Sequence, residues 1–367
     1  LKPIQLAQKL ALLPAKRWKQ LSFLVGFDGF ADTLYSVVKR RSSPTRYTCI
    51  HSIGEFARAL ARTSGQGTNF ELVTKQKKIG GNGPILAEAL CEMGAPPLLI
   101  GTLGLPKIEP LFTPLTKRCK KVISYAPSAV TDALEFEDGK IMLGKHENIL
   151  QSNLKKALGG IREKALLAAF NEADIVAATN WTMLFGMTEF WKYLFEHIAP
   201  RIAARKRTFF VDFADPAKRS RKDLQEALEI LRLGRKYYQI ILGMNLHEAE
   251  QISALCNTGK RHKNDLLSFT AQLASSAGVD GVVLHTTKEA YAMVNGKTHL
   301  VRGPYTATPK ITTGGGDNFN AGFLLGLGLN LSLDEALMLA TATSGYYVRH
   351  AKSPNRKELI RFLKLSF

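Results

Sequence analysis

The residues Ile311-Thr312-Thr313-Gly314-Gly315-Gly316-Asp317 run without interruption into Asn318-Phe319-Asn320-Ala321-Gly322-Phe323-Leu324-Leu325-Gly326. Three consecutive glycines let the backbone turn so that several N–H groups converge on one point, with no side chain in the way. The apolar segment that follows has helical character. A helix starting there adds unpaired N–H groups and the positive end of its dipole. The product is an anion hole with a carboxylate, Asp317, at its rim. That pairing suits phosphoryl transfer: the carboxylate accepts a hydroxyl proton while the amides of Gly314, Gly315 and Gly316 stabilise developing charge. Taken alone, a glycine triplet is also an ordinary strand-to-helix turn.

Three further groupings could serve the same chemistry. Lys78-Ile79-Gly80-Gly81-Asn82-Gly83-Pro84 precedes a segment whose apolar residues Leu86, Ala89, Leu90 and Met93 recur at helical spacing. Paired glycines at a helix start allow close backbone approach to a ligand. Gly26-Phe27-Asp28-Gly29-Phe30-Ala31-Asp32 follows the apolar run Phe23-Leu24-Val25, which places Asp28 and Asp32 at the carboxyl end of a strand, where α/β sheets bind ligands. An ionised carboxylate can accept two hydroxyl donors. Asn245-Leu246-His247-Glu248 follows the apolar run Ile240-Ile241-Leu242. Asn-x-x-Glu there reads either as oxygen ligands around a magnesium–phosphate pair or as a helix cap with an acid three residues on.

These four groupings, in this order, resemble the signatures of the ribokinase-like (PfkB) carbohydrate kinases. The resemblance runs from about residue 23 to about residue 351. It implies a three-layer α/β/α sandwich with a mostly parallel central sheet and a small β lid. It further implies transfer of a nucleotide's terminal phosphoryl group to a hydroxyl of a sugar-like acceptor, with Asp317 as general base. By the same resemblance Asp28, Asp32, Gly80, Gly81 and Asn82 bind the acceptor, while Asn245, Thr286, Thr287, Thr313, Gly314 and Gly316 bind the nucleotide. Asn245 and Glu248 would hold Mg2+ through water. ATP is the implied donor. ADP stays open, because the Asp28–Asp32 segment is also reminiscent of the ADP-dependent sugar kinases, which carry Asn at the positions of Asp28 and Phe30. Departures from the pattern are informative. Gly315 replaces the usual Ala. Ile311 stands where relatives carry an Asp that helps build a monovalent-cation site. Pro84 and Ile85 occupy the region of a sugar-binding Asn, and Thr286 and Glu289 stand where nucleotide-side glycines are expected. Nucleoside and phosphosugar kinases, or a silent regulatory protein on the same scaffold, are the competing readings.

The elements that must position these residues are legible in outline. Strand-like and helix-like stretches alternate, as a parallel sheet covered on both faces requires. Phe209-Phe210-Val211-Asp212 reads as another strand ending in an acid, and Gly281-Val282-Val283-Leu284-His285 as the strand before the nucleotide loop. Asp138-Gly139 between partly alternating runs signals a hairpin. Lid strands are expected from about 33–50 and 122–145 within a kinase domain of 21–367. Residues 1–20 are read as a helical extension that Pro14 ends or bends.

A chain of 367 residues, 45% hydrophobic, can bury one large core. Cys49, Cys91, Cys119 and Cys256 have no paired spacing, which argues against a disulfide framework and a zinc site. No run reaches the length of a membrane span and no signal-peptide pattern opens the chain, so cytoplasm is the expected compartment. The discordant feature is charge: 50 Lys and Arg against 31 Asp and Glu give a net +19. The clusters 75–78, 117–121, 205–207, 218–222 and 260–263 are dispersed and lack interleaved aromatics. They read as solvated helix faces rather than a nucleic-acid surface. The resemblance also leaves room for a homodimer through the lid.

Overall fold

The computed structural model describes residues 2–150, 161–256 and 265–365; the basic cluster at 260–263 lies outside the described residues. Among the described residues nine strands form the central sheet: β1 (Phe23–Gly26), β5 (Leu98–Gly101), β6 (Lys121–Ser124), β9 (Ile175–Thr179), β10 (Thr208–Asp212), β11 (Gln239–Asn245), β12 (Gly281–His285), β13 (Glu289–Val294) and β14 (Lys297–Arg302). Their order is β14-β13-β12-β11-β10-β9-β1-β5-β6. From β12 to β6 every pairing is parallel, and β13 and β14 add an antiparallel edge.

The interior strands are apolar on both sides because both faces are covered. Their residues alternate between two cores. Leu24, Phe209, Val211, Ile240, Leu242, Val282 and Leu284 enter one, while Phe23, Val25, Phe210, Ile241 and Val283 enter the other. The second core contains the glycine-motif helices Asn82–Glu92 and Gly315–Gly328. It also takes in Leu6, Leu10 and Trp18 from the helices Lys2–Leu12 and Ala15–Lys19, which break at Pro14. Arg356 fastens this segment, donating to the Leu10 carbonyl at 3.0 Å with its guanidinium 5.0 Å from the Trp18 ring centroid.

A second sheet of five strands forms the lid: β2 (Phe30–Ser43), β3 (Arg46–Cys49), β4 (Leu72–Gly80), β7 (Ala129–Phe136) and β8 (Gly139–Lys145). The hairpin at Asp138-Gly139 joins β7 to β8, pairing Phe136 with Gly139. Two details differ from the sequence reading. Residues 121–124 pair with β5 in the central sheet rather than in the lid, and β4, which carries Lys75, Lys77 and Lys78, is a lid strand paired along β2. The lid face turned away from the cleft has its own small core. Phe56, from the helix Ile53–Ala61, packs there against Val37, Leu134 and Phe136.

The basic clusters are likewise not all helix faces. Lys75–Lys78 lie on β4, and Arg207 is buried with its Nε donating to the Ala173 carbonyl at 3.2 Å. All four cysteines are free thiols, and the fold brings the Cys91 and Cys119 sulfurs to 4.0 Å. Among the described residues no helix is long and apolar enough to cross a membrane.

Candidate active site

The chemistry-bearing residues collect at the carboxyl ends of the parallel strands, which is where such sheets leave a crevice. Asp28 follows β1, Asn180 follows β9, and Asp212, Asn245 and His285 end β10, β11 and β12. The helix Gly315–Gly328 points its first turn at this rim, with Asp317 in that turn.

Gly314 caps the helix at φ +87°, a conformation that side chains strain against, and a Cβ there would lie 2.8 Å from Tyr347 Oη. The Tyr347 hydroxyl donates to the Thr313 carbonyl at 3.0 Å and fastens the turn. The reversal at Gly314 divides the motif between two clefts. Gly314 and Asp317 line one of about 1030 Å³, together with Asp32, Gly80, Gly81, Asn82, Thr131 and Asn180. Gly315 and Gly316 line another of about 710 Å³, with Asn245, His285, Thr286, Thr287 and Phe319. One glycine turn is thus the boundary between two binding spaces.

Asp317 is 5% exposed, and its Oδ1 accepts from Asn82 Nδ2 at 2.8 Å. Burial, and after it the negative charge of Asp212, raises its carboxyl well above the ordinary range. A carboxylate with that proton affinity is suited to take a proton from a hydroxyl. Asp212 is itself pushed up to about 7, by burial and then by Glu248. Glu248 is raised by burial. With Asp28, whose charge also raises Asp317 and Asp212, these acids form one electronegative cluster.

Several assigned residues sit differently from the sequence reading. Asp28 is fully buried and does not line the first cleft. Its oxygens accept from the N–H of Asn82 (2.9 Å), the N–H of Gly83 (2.7 Å) and Asn180 Nδ2 (2.7 Å). It holds the double-glycine turn in shape, and burial pushes its carboxyl up to about 6. Gly81 needs to be glycine for the same reason, because at φ +93° a Cβ would meet Asp28 Oδ2 at 2.9 Å. Gly315 was read as an anion-hole amide, but its N–H donates back to the Thr312 carbonyl at 3.1 Å. The amides of Gly316 and Asp317 remain in the first turn, which has no helix carbonyls to offer them. Thr313, read as a nucleotide contact, faces the first cleft, and Thr312 faces the second. The Thr286 hydroxyl is occupied by its own turn, accepting from the N–H of Glu289 at 2.9 Å and donating to the Glu289 carbonyl at 3.1 Å.

Asn245 and Glu248 make the full capping box of the helix Leu246–Leu255: Asn245 Oδ1 accepts from the Glu248 N–H at 3.0 Å and Glu248 Oε2 from the Asn245 N–H at 2.9 Å. Glu248 Oε1 accepts from the Asp215 N–H at 3.1 Å. Among the described residues no three His, Cys, Asp or Glu side chains converge closely enough to hold an ion directly. The donor set nevertheless suits a hard cation held through water. Asp212, Glu248 and Asn245 offer side-chain oxygens, and the buried Asn320 Oδ1, beside Asp212, has no hydrogen-bond partner.

On the lid face over the first cleft, Lys78, Asp32 and Thr131 sit side by side across β4, β2 and β7. The Asp32 carboxyl is raised by burial, against a hydrogen bond to Thr131 and the charge of Lys78. Gly80 is the neighbour over which this carboxylate lies, since a Cβ there would collide with Asp32 Oδ2.

Asn180, Asp212, Lys78, Thr131 and His285 were not singled out from sequence as site residues. A usable signal existed for three: Asn180, Asp212 and His285 are polar residues at or just past the carboxyl end of an apolar run.

The architecture is that of the ribokinase-like (PfkB) kinases, and the family match makes the chain a phosphotransferase acting on a sugar hydroxyl. Residues 7–365 match the family described as prokaryotic ketohexokinase, and the chain belongs to that family. It is similar to a ketohexokinase from Haloferax volcanii, 26% identical over 342 residues, covering 92% of this chain and 90% of the relative. The fold is shared with a ribokinase from Arabidopsis thaliana solved with ribose and ATP (TM-score 0.66, 16% identity, 94% of this chain and 99% of that one). It is shared also with a phosphofructokinase-2 mutant from Escherichia coli (TM-score 0.64, 16% identity, 94% and 98%).

Proposed function

We propose that this chain transfers the terminal phosphoryl group of ATP to a hydroxyl of a ketohexose, with Asp317 as general base. The observation that carries the reading is the position of Asp317: a buried carboxylate of raised proton affinity, on the glycine turn that separates two clefts. The acceptor occupies the first cleft. Asp32 accepts hydrogen bonds from its hydroxyls, Lys78 offers a donor beside it, and Thr131, whose hydroxyl donates to Asp32, steadies the carboxylate. The donor nucleotide occupies the second cleft, whose Pro304 and Tyr305 suit a base and whose Gly316 amide suits a phosphate. The family description and the Haloferax relative support a ketohexose over other sugars.

As the hydroxyl oxygen bonds to the terminal phosphorus, the bond from that phosphorus to the bridging oxygen breaks and ADP leaves; Asp317 takes the hydroxyl proton, and Asn82 Nδ2 keeps the carboxylate oriented. The first-turn amides stabilise negative charge on the phosphoryl oxygens. Asp212, Asn245 and Glu248 would hold Mg2+ through water, where it neutralises phosphate charge. Four free thiols suit a reducing compartment, and we place the enzyme in the cytoplasm.

The test is phosphoryl transfer to a panel of ketohexoses, aldohexoses, ribose and sugar phosphates, with ATP and ADP as separate donors. Turnover with ATP and a ketohexose, reduced about 10²–10⁴-fold in Asp317→Asn, is the expected result. Wild-type turnover in that variant removes Asp317 from the chemistry, and preference for another acceptor overturns the substrate assignment.

A further inference from the structure

Cys91 sits in the last turn of the helix Asn82–Glu92, and Cys119 follows the short helix Thr113–Thr116. The two thiols are 28 residues apart in the chain, and packing brings their sulfurs to 4.0 Å. Both side chains rest on the edge of the second core, half-buried, so they are held together without being sealed from solvent. Arg118, next to Cys119, donates to Glu88 at 3.1 Å and to Glu92, which ties the segment carrying one thiol to the helix carrying the other.

The pair is polarised. A hydrogen bond from the Cys91 thiol, together with the Arg118 charge, lowers the pKa of Cys119, while the same bond and burial raise that of Cys91. Cys119 is therefore the better nucleophile and Cys91 the thiol that resolves. Position gives the pair a lever on one site. Glu88 and Glu92 from the first segment, and Leu111 and Pro114 from the second, line the first cleft. The helix that carries Cys91 also begins at Asn82, whose amide orients Asp317. A disulfide requires the sulfurs to approach to about 2 Å, which draws these two walls together.

We propose that Cys91 and Cys119 are a redox-modification site, forming a reversible disulfide that links two walls of the first cleft and weakens acceptor binding. The oxidant is a low-molecular-weight disulfide such as oxidised glutathione. The Cys119 thiolate attacks one sulfur of that disulfide, whose S–S bond breaks, and one glutathione thiolate leaves. Cys91 then gives its proton to solvent, and its sulfur attacks Cys119 Sγ in the mixed disulfide, expelling the second glutathione thiolate. Two protein thiols are oxidised by two electrons in total, and one glutathione disulfide is reduced to two thiols. In a reducing compartment such a bond is transient, which suits a sensor rather than a structural staple. The disulfide itself needs no assignment of the clefts; its effect on the acceptor rests on the first cleft being the acceptor site.

The full chain is reduced, equilibrated in glutathione buffers of increasing oxidised fraction, and mapped by non-reducing peptide mass spectrometry, with free thiols counted after denaturation. The expected result is loss of two of the four thiols and one linked peptide pair, Cys91 with Cys119, both reversed by dithiothreitol. Cys91→Ser should stop at a glutathione adduct on Cys119, and Cys119→Ser should gain neither link nor adduct at Cys91. Each variant is melted under reducing conditions as the folding control. In the Cys49→Ser/Cys256→Ser double variant, whose remaining thiols are the pair, oxidation should raise the acceptor KM several-fold and leave the ATP KM unchanged, and dithiothreitol should restore it. Absence of the linked pair in wild type, or a link to Cys49 or Cys256 instead, overturns the proposal. An adduct on Cys91 in Cys119→Ser overturns the order of attack. A disulfide that forms without moving either KM overturns the lever on the cleft. A rise in the ATP KM alone overturns the assignment of the clefts and leaves the disulfide standing.

Discussion

Replacing Asp212 by Asn should make the protein more stable near neutral pH and less active. Asp212 is 8% exposed at the end of β10, with Oδ1 accepting from the Ala214 N–H at 2.9 Å and Oδ2 from Asn320 Nδ2 at 2.7 Å. An amide can replace the carboxylate without losing either bond. Asn320 Oδ1 has no partner, so half a turn of the Asn320 amide lets that oxygen accept from the new NH2 group. What disappears is a buried charge. Burial, and then Glu248, move the Asp212 carboxyl from an ordinary 3.8 to about 7. Each pH unit is worth about 1.4 kcal/mol, so ionised Asp212 costs at most about 4 kcal/mol of folding stability above pH 7. Below about pH 4 it costs nothing, because folded and unfolded chains are both protonated. Between those limits the folded chain keeps a proton that the unfolded chain has released, so wild-type stability falls as pH rises.

The stability gap between Asp212→Asn and wild type should therefore widen from pH 5 to pH 8. Urea unfolding without magnesium, at several pH values across that window, measures it. Turnover should fall in the same variant, because under the proposed function Asp212 is one of the side chains that would hold Mg2+. A variant no more stable than wild type at pH 8, or a gap that does not widen with pH, would refute the reasoning.

Other consequences are equally direct. Asp317 must be ionised to accept a proton, so kcat should fall with acidity at a pH above that of an exposed carboxylate; removing the Asp212 charge should move that limb to lower pH, and a limb unmoved in Asp212→Asn counts against the coupling. Gly81→Ala should destabilise by roughly 1–3 kcal/mol through its strained backbone and should raise the acceptor KM as the new Cβ displaces Asp28; normal melting and kinetics would contradict this. Deleting residues 1–20 removes the buried Leu6, Leu10 and Trp18 side chains, worth roughly 1.5–3 kcal/mol each, and should leave a protein that melts far lower or fails to fold; an unchanged melting temperature would show the segment to be dispensable.

Much of this protein is local in its logic, and the local part was legible. The central strands are short apolar runs ending in polar residues. The helices after Gly81 and Gly314 follow from glycine turns that lead into apolar segments. Asp317 stood out because its chemistry and its backbone setting are encoded within a few consecutive residues. Strand β4 was not legible: its Lys-Gln-Lys-Lys run has no buried face to impose an apolar alternation, and it is a strand because β2, about 40 residues away, supplies the hydrogen-bond ladder.

The residue chemistry was also only half visible. Sequence alone determined that acids, glycines and amides suited to phosphoryl transfer were present, and in an order that identified the fold. Tertiary structure decided which of them are free to act. Asp28 and Asp32 are indistinguishable in a sequence. Packing surrounds Asp28 with three N–H donors and leaves Asp32 facing the cleft beside Lys78 and Thr131. Asp212, more than a hundred residues before Asp317 in the chain, raises the proton affinity of Asp317 only because β10 ends and the glycine-turn helix begins at the same rim. Proton affinity depends on burial and on neighbouring charge, and both are set by contacts that the linear order does not contain.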